Sequence, residues 1–350
     1  MTSPSTPAGP RIIVCGVGNY GQEFTRLARI KGWPIVAAIN RAGAKIGRDL
    51  GDLAGVGSNG ILVQDCAIAD LASLGADIGV VFTTDSLAEN LPVYERLLAN
   101  GLNVICHGVQ AYYPWRYDPE TSARIDALAK ENRKTFSGTG IWDMSRIWAG
   151  ILLAGPSVVI KSFYHESVTQ VNYPHPSVIE RCGLDLTPAE YMARRARTPG
   201  GVQDYGLAGL YQSIPEHVLT ALGLHVSHGE EVVEPIISAD PVYCKALQRD
   251  IEPGRVVGWR YRSMIATHEG IPAEARVEMR LLRDDEKEHM IWEIDGTPGN
   301  RLVIERKDSI AASAASVLNR IPDVIAAEPG IRLLSELGPL RPHFPLSATE

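Results

Sequence analysis

The run CGVGNYGQEF, Cys15 to Phe24, places Gly16, Gly18 and Gly21 in the spacing GxGxxG. An apolar run precedes it and a helical pattern follows. In that setting each glycine answers a separate steric demand. The first permits a tight turn, the second lets backbone approach a pyrophosphate, and the third lets the helix lie close to the strand. The helix start then offers N–H groups and a partial positive charge to phosphates. Asn19 and Tyr20 fall inside this loop and join the expected cofactor contacts. A simple glycine turn would give the same spacing without a ligand. The next apolar run ends in Asn40-Arg41, with Lys45 and Arg48 close behind. Sites for NAD usually carry an acid at that strand end. A guanidinium there suits a 2′-phosphate, so NADP(H) is favoured and NAD(H) is possible; the alternative for Arg41 is a solvated loop charge. Thr83-Thr84, after VVF, either line the nucleotide cleft or start a loop through hydroxyl–backbone bonds.

Groups able to move protons are fewer. ICHGVQAYYPW, Ile105 to Trp115, ends a buried strand with His107, Gly108 and Gln110, and no carboxylate follows before Asp118. His107 could donate to a carbonyl oxygen or simply hold a backbone carbonyl. Gln110 could hydrogen-bond a substrate but cannot take a proton. Asp143 follows SGTGIW, after Gly140, and is either a carboxylate able to carry a proton or an acid complementing a helix dipole. Trp142 is expected to wall a pocket. In FYHESVTQVNYPH, alternation sends Tyr164, Glu166, Val168 and Gln170 to one face and His165, Ser167 and Thr169 to the other. Tyr173 is a candidate pocket residue, with His175 on the same loop and His268 at a later strand end. His217, His225, His228 and His289 lack the spacing of a metal site, and no metal is expected.

These residues need strand ends to carry them. RIIVCG (11–16), PIVAAIN (34–40), ILVQD (61–65), IGVVFTT (78–84), NVICHG (103–108) and TFSGTG (135–140) read as strands. Helical patterns separate them at 22–31, 91–101 and 119–133. The fold class is therefore α/β, an N-terminal Rossmann domain with a parallel sheet. After about Trp142 the pattern changes. VVIKSFYHESVTQV (158–171), VVEPIIS (232–238), RVVGWRYRSMIAT (255–267), ARVEMRLLR (275–283) and HMIWEI (289–294) are strand-like, with helices near 187–195 and 207–222. Clean alternation in EARVEMRLLR implies a mostly antiparallel sheet with one wet face, hence an α+β second domain. The closing run SIAASAASVLNRIPDVIAA (309–327) reads as a helix to about Arg320, returning to the first domain, with a tail packing across its surface. The expected organisation is a short disordered leader at 1–10, a Rossmann domain at 11–145, a substrate and dimerisation domain at 146–308, and a closing helix and tail at 309–350.

The 350 residues exceed one ordinary core. With 41 acidic and 34 basic residues the net charge is −7, which argues against nucleic-acid binding. Five cysteines form no CxxC pair; Cys15 and Cys106 sit in apolar runs as core residues, and a reducing cytoplasm fits. No apolar run is long enough to span a membrane, and MTSPSTPAGP lacks the apolar segment of a signal peptide.

RIIVCGVGNYGQE, GRDLGDLAG (47–55), VVFTTDS, YYPW (112–115), SARIDALAKE, SGTG and VLNRIPDVIAAEPG resemble the native amine dehydrogenases, grouped with the 2,4-diaminopentanoate dehydrogenases and sharing a dihydrodipicolinate-reductase-like nucleotide domain. The resemblance covers most of the chain and is loose between about Ser162 and Met290. It implies a homodimer and reductive amination of a ketone or aldehyde with NAD(P)H and ammonia, or the reverse. It also implies cofactor contacts from Gly108, Gly140 and Asn319, and a pocket strand whose Tyr-Asn pair falls at Thr169-Gln170. The family usually reads Cys-Glu-Glu shortly before the aromatic-Pro-Trp, one glutamate being catalytic; aligned on YYPW, this chain has Gly108-Val109-Gln110. That departure leaves hydride transfer untouched. It keeps open a carbonyl or imine reductase that needs no ammonia, and a non-catalytic NADPH-binding sensor.

Overall fold

The computed structural model describes residues 9–174, 176–196 and 211–343. Most of the expected leader, His175 and the first residues of the helix expected from Leu207 lie outside these. The chain forms two compact units, 1–144 with 308–350, and 145–307.

The first unit is a seven-stranded sheet, every pairing parallel. Its strands are β1 (Ile12–Cys15), β2 (Ile35–Asn40), β3 (Val63–Asp65), β4 (Ile78–Val81), β5 (Asn103–Cys106), β6 (Thr135–Gly138) and β15 (Gly330–Ile331), in the order β15-β6-β5-β4-β1-β2-β3. All four residues of β1, β4, β5 and β6 are buried. Apolar runs predict this for β1 and β4, because both faces of a parallel sheet are covered, while β5 and β6 also bury the polar Asn103, Thr135 and Ser137. One face carries Ile13, Cys15, Val81 and Val104 against Leu87, Tyr94, Leu97 and Leu98 of helix Leu87–Ala99 and Ile125 and Ala129 of helix Pro119–Glu131. The opposite face carries Ile12, Val14, Ile78, Val80 and Ile105. It is closed by Phe24 and Ala28 of helix Asn19–Lys31 together with Ala314, Val317, Leu318, Ile321 and Val324 of helix Ser309–Ala326. Each leucine, isoleucine, valine or phenylalanine among these contributes about 1.5–3 kcal/mol by leaving water.

The closing helix does not stop at Arg320. It continues through Pro322 to Ala326. Proline removes one intrahelical bond, but Ile321 and Val324 are fully buried on either side of it, and that burial holds the turn. Nor does the tail only cross a surface: Gly330 and Ile331 pair with Thr135 and Phe136 and extend the sheet.

The second unit is built on six strands ordered β14-β13-β7-β12-β11-β8. They are β7 (Val159–Gln170), β8 (Val226–Ile237), β11 (Val256–Thr267), β12 (Ala273–Arg280), β13 (His289–Thr297) and β14 (Asn300–Glu305). A ribbon of β9 (Val242–Cys244) and β10 (Arg249–Ile251) stands apart. Only β12 and β7 pair parallel; the rest are antiparallel. The expected alternation holds in β7, where Phe163, His165 and Ser167 are buried while Tyr164 and Glu166 on the other face are partly exposed. That other face is not simply wet. Glu278 is 5% exposed beneath Arg260, Arg276 and Arg280, at 2.7, 2.8 and 3.0 Å. Burial would raise its carboxyl, but bonds from three guanidiniums outweigh this and bring it down to about 2.

Candidate active site

The glycine loop joins β1 to helix Asn19–Lys31. Gly16 has φ +97°, and a Cβ there would lie 2.8 Å from the Phe82 carbonyl. At Gly21 a Cβ would lie 2.1 Å from the Gly16 oxygen. These two glycines are fixed by the protein's own atoms. Gly18 is different: a Cβ there meets nothing within 4 Å, so the empty space is what its lack of a side chain preserves. The helix starts at Asn19, earlier than its apolar pattern suggests, with Gly18 as a cap that makes no side-chain hydrogen bond and no acid in the first turn. The other three long helices of this unit are capped by Ser86, Asp118 and Asp308. An uncapped helix start facing open space suits a pyrophosphate, so the residues present fit a dinucleotide.

At the end of β2, the Asn40 Oδ1 accepts from Val17 N–H at 3.2 Å and braces the loop from below. Lys45 donates to the Val17 carbonyl. Arg41 is exposed, has no ion pair among the described residues, and lines the same cleft as Gly16, Thr83 and Thr84. Thr83 and Thr84 neither start the loop by hydroxyl–backbone bonds nor stand free. Both hydroxyls reach Oδ1 of Asn90, whose Nδ2 donates to the Thr84 carbonyl at 2.8 Å.

His107 follows β5. Its ring lies against Tyr20, centroids 4.2 Å apart, and Phe82 at 5.7 Å. Its Nε2 is 2.7 Å from the Ser313 Oγ, and that oxygen accepts from Ile141 N–H at 3.1 Å. Gly140 must be glycine here, since a Cβ would lie 2.2 Å from the Tyr112 hydroxyl. Trp142 is 5% exposed and packs edge-on against Tyr112. Gly108 N–H donates to the Cys106 sulfur at 3.2 Å. The Gln110 Oε1 accepts from Leu87 N–H at 2.9 Å, holding the start of that helix.

Asp143 is wholly enclosed. Arg320 grips it bidentately, Nε to Oδ2 at 2.8 Å and Nη2 to Oδ1 at 2.6 Å, and Thr139 Oγ1 donates to Oδ2 at 2.8 Å. Both residues are 0% exposed. Burial pushes the carboxyl up, opposed by the Arg320 bonds and charge and then by Thr139. The third guanidinium nitrogen serves Asp323 and the carbonyls of Leu337 and Gly338. Of the two roles expected for it, Asp143 stands in the first turn of the helical segment Asp143–Trp148, and its carboxylate anchors the returning helix. Asn319 is displaced from its expected role. It accepts from Lys31 at the C-terminal end of helix Asn19–Lys31, about 18 Å along the helix from the Gly18 loop.

In the second unit, Thr169 accepts from Arg306 at 3.3 Å. Gln170 is consumed internally: its amide nitrogen reaches the Leu282 carbonyl, and its oxygen accepts from Asn172 and Leu282 N–H groups. Tyr173 is 49% exposed, and His268 lies on an exposed turn past β11. Among the described residues no three metal-ligating side chains cluster.

Sequence reasoning missed Ser313, Arg320 and Asn90. For the first two a signal existed. Ser313, Val317, Arg320 and Val324 fall on one stripe of an apolar helix, and buried polar groups there must have partners.

Three histidines are held neutral by burial: His107 at about 4, His165 at about 3 with Arg146 adding to the effect, and His217 at about 4. In the unfolded chain each titrates near 6.5. Below pH 6.5 the unfolded chain therefore binds protons that the folded one refuses, and stability falls with pH toward 4. Each contributes up to about 1.4 kcal/mol per pH unit. We expect thermal unfolding to move to lower temperature from pH 7.5 to 5, less steeply in His165→Asn; a flat profile would contradict the assignment.

The 2,4-diaminopentanoate dehydrogenase C-terminal domain family matches residues 150–343. The 2,4-diaminopentanoate dehydrogenase of Acetoanaerobium sticklandii is 24% identical over 342 residues, covering 93% of both chains. A 4-hydroxy-tetrahydrodipicolinate reductase of Allorhizobium ampelinum is 36% identical over 131 residues, 37% of this chain and 45% of that one. The solved amine dehydrogenase of Mycobacterium smegmatis is 29% identical with a TM-score of 0.82, covering 97% of this chain and 99% of that one. Glycine loop, parallel sheet and these likenesses define an NAD(P)-dependent dehydrogenase. The chain belongs to the 2,4-diaminopentanoate dehydrogenase family, which bears out the resemblance read from its motifs.

Proposed function

We propose that this dehydrogenase prefers NADP(H) and works on the C=O or C=N carbon of a small, largely apolar ketone, aldehyde or imine, in reductive amination or the reverse deamination. The uncapped helix start at Gly18 carries the reading, supported by the near full-length likeness to an amine dehydrogenase. When bound, the nicotinamide supplies or accepts the hydride. The chain's own residues do the rest. The Gly16–Gly21 loop holds the pyrophosphate. Arg41, exposed and beside the cleft, meets the 2′-phosphate. Asn90 sets Thr83 and Thr84 along the cleft wall. His107 and Trp142 face the reacting end, and Asp143 with Arg320 holds the segment Thr139–Asp143 in place. A cytoplasmic location fits the free cysteines, and among the described residues no helix is long and apolar enough to cross a membrane. A homodimer, as the family resemblance implies, completes the reading.

The test is NADPH oxidation by purified protein with a panel of ketones and aldehydes, with and without excess ammonia. Turnover that requires ammonia is the expected result. Turnover indifferent to ammonia would replace it with a carbonyl reductase; cofactor binding without any turnover would replace it with a sensor. In the same assay Arg41→Asp should raise KM for NADPH about tenfold or more, one charge-assisted contact, and leave KM for NADH nearly unchanged. An equal effect on both cofactors would remove Arg41 from the phosphate site.

A further inference from the structure

The hydrogen bonds around His107 fix more than its position. Ser313 Oγ is 1% exposed and has two neighbours, the Ile141 N–H at 3.1 Å and the His107 Nε2 at 2.7 Å. The Ile141 N–H is a donor, so it uses a lone pair of the hydroxyl. Among the described residues, the hydroxyl's own proton has one acceptor left, the His107 Nε2. A neutral imidazole carries one proton, so that proton sits on Nδ1. Nδ1 has no partner among the described residues and is not among the sealed, unbonded polar atoms; the ring keeps partial exposure. Stacking on Tyr20 and contact with Phe82 hold the ring plane.

We propose that Ser313 is a positioning residue that fixes His107 as its Nδ1–H tautomer, so that a neutral ring presents one N–H donor at the open ends of the parallel strands. The tautomer stands on geometry alone; its catalytic consequence rests on the dehydrogenase reading above. There the donor serves the carbonyl oxygen or imine nitrogen, which gains electron density as the neighbouring carbon is reduced. A ring held near pKa 4 stays neutral across the physiological range. It therefore acts as a fixed hydrogen-bond donor, without needing to cycle through an imidazolium.

The test is the nitrogen-15 spectrum of histidine-labelled full-length protein between pH 5.5 and 8, with His107 identified by its loss in His107→Gln. We expect a protonated Nδ1 and an unprotonated Nε2 throughout that range. In Ser313→Ala the ring should shift toward the Nε2–H form, and Ser313→Thr, which keeps the hydroxyl, should restore the wild-type pattern. An Nε2–H ring in the wild type, or an unchanged ring in Ser313→Ala, overturns the proposal. If Ser313→Ala does not fold, the wild-type and Ser313→Thr spectra still decide it. In turnover, Ser313→Ala should lower kcat about tenfold, the scale of one neutral hydrogen bond, with the KM for NADPH nearly unchanged. Loss of cofactor binding instead would overturn the positioning role. If the tautomer is as expected but no carbonyl compound turns over with or without ammonia, the dehydrogenase reading fails while the tautomer stands.

Discussion

Gly18→Val should fold as the wild type does and fail to bind NADPH. The backbone at Gly18, φ −83° and ψ −166°, is open to any residue, and an added Cβ meets no atom of the protein within 4 Å. The stability cost is that of a poorer helix cap, about 1 kcal/mol or less. A bound pyrophosphate would collide with the new methyl groups and lose its charge-assisted bonds to the helix start, each worth about 1.5–3 kcal/mol. Binding should weaken by a factor of about 100 or more, read by quenching or enhancement of NADPH fluorescence. Gly21→Ala makes the contrast. Its Cβ would lie 2.1 Å from the Gly16 oxygen, so the loop itself must move, and melting temperature should fall along with affinity. If Gly18→Val bound NADPH as tightly as the wild type, the phosphates would have to sit elsewhere.

Arg320→Met should be among the most damaging single changes in the first unit. It leaves Asp143, 0% exposed, without its bidentate partner and also strips Asp323 and two tail carbonyls. Breaking one side of a buried pair costs about 3–5 kcal/mol. In a protein of this size that lowers the melting temperature by about 10 °C. Asp143→Asn should destabilise by less, because Arg320 loses its bidentate carboxylate but keeps Asp323 at 2.9 Å. The combination Asp143→Leu with Arg320→Met should recover a large part of the loss, because two charges that need not be desolvated are gone. Urea unfolding of the two singles and the double gives the coupling. Strict additivity would mean that the pair does not act as a unit.

Much of the first unit was legible because its signals are local. Continuous burial in β1 and β4 goes with apolar runs, and the glycine at 21 is imposed by the Gly16 oxygen five residues away, whereas Gly16 is fixed by the Phe82 carbonyl from a distant strand end. The two-residue strand Gly330–Ile331 carries no pattern of its own; its pairing with Thr135 and Phe136 exists only once the chain has folded back. The site was less legible for the same reason. Asp143 and Arg320 are separated by 177 positions, so the sequence around Asp143 shows an acid ahead of a helix and nothing of its partner. Gln110 looked like the relic of a catalytic position, while its oxygen in fact braces the start of a helix encoded upstream. Asn319 sat in a family-like motif, but the motif does not show which end of helix Asn19–Lys31 the returning helix brings it to, and its oxygen meets Lys31.

The return of helix Ser309–Ala326 to the first unit also has a bearing on biosynthesis. Everything between Met144 and Asp308 must leave the ribosome before the second face of the parallel sheet can be covered. At about 5–20 residues per second that interval lasts on the order of 10 to 30 s. Throughout it, Ile12, Val14, Ile78, Val80 and Ile105 lack half of their covering and Asp143 has no cation. The nucleotide-binding half, translated first, is thus the half that matures last. The nascent chain exposes a sticky sheet in that interval, and this is the point at which a holding chaperone would engage it.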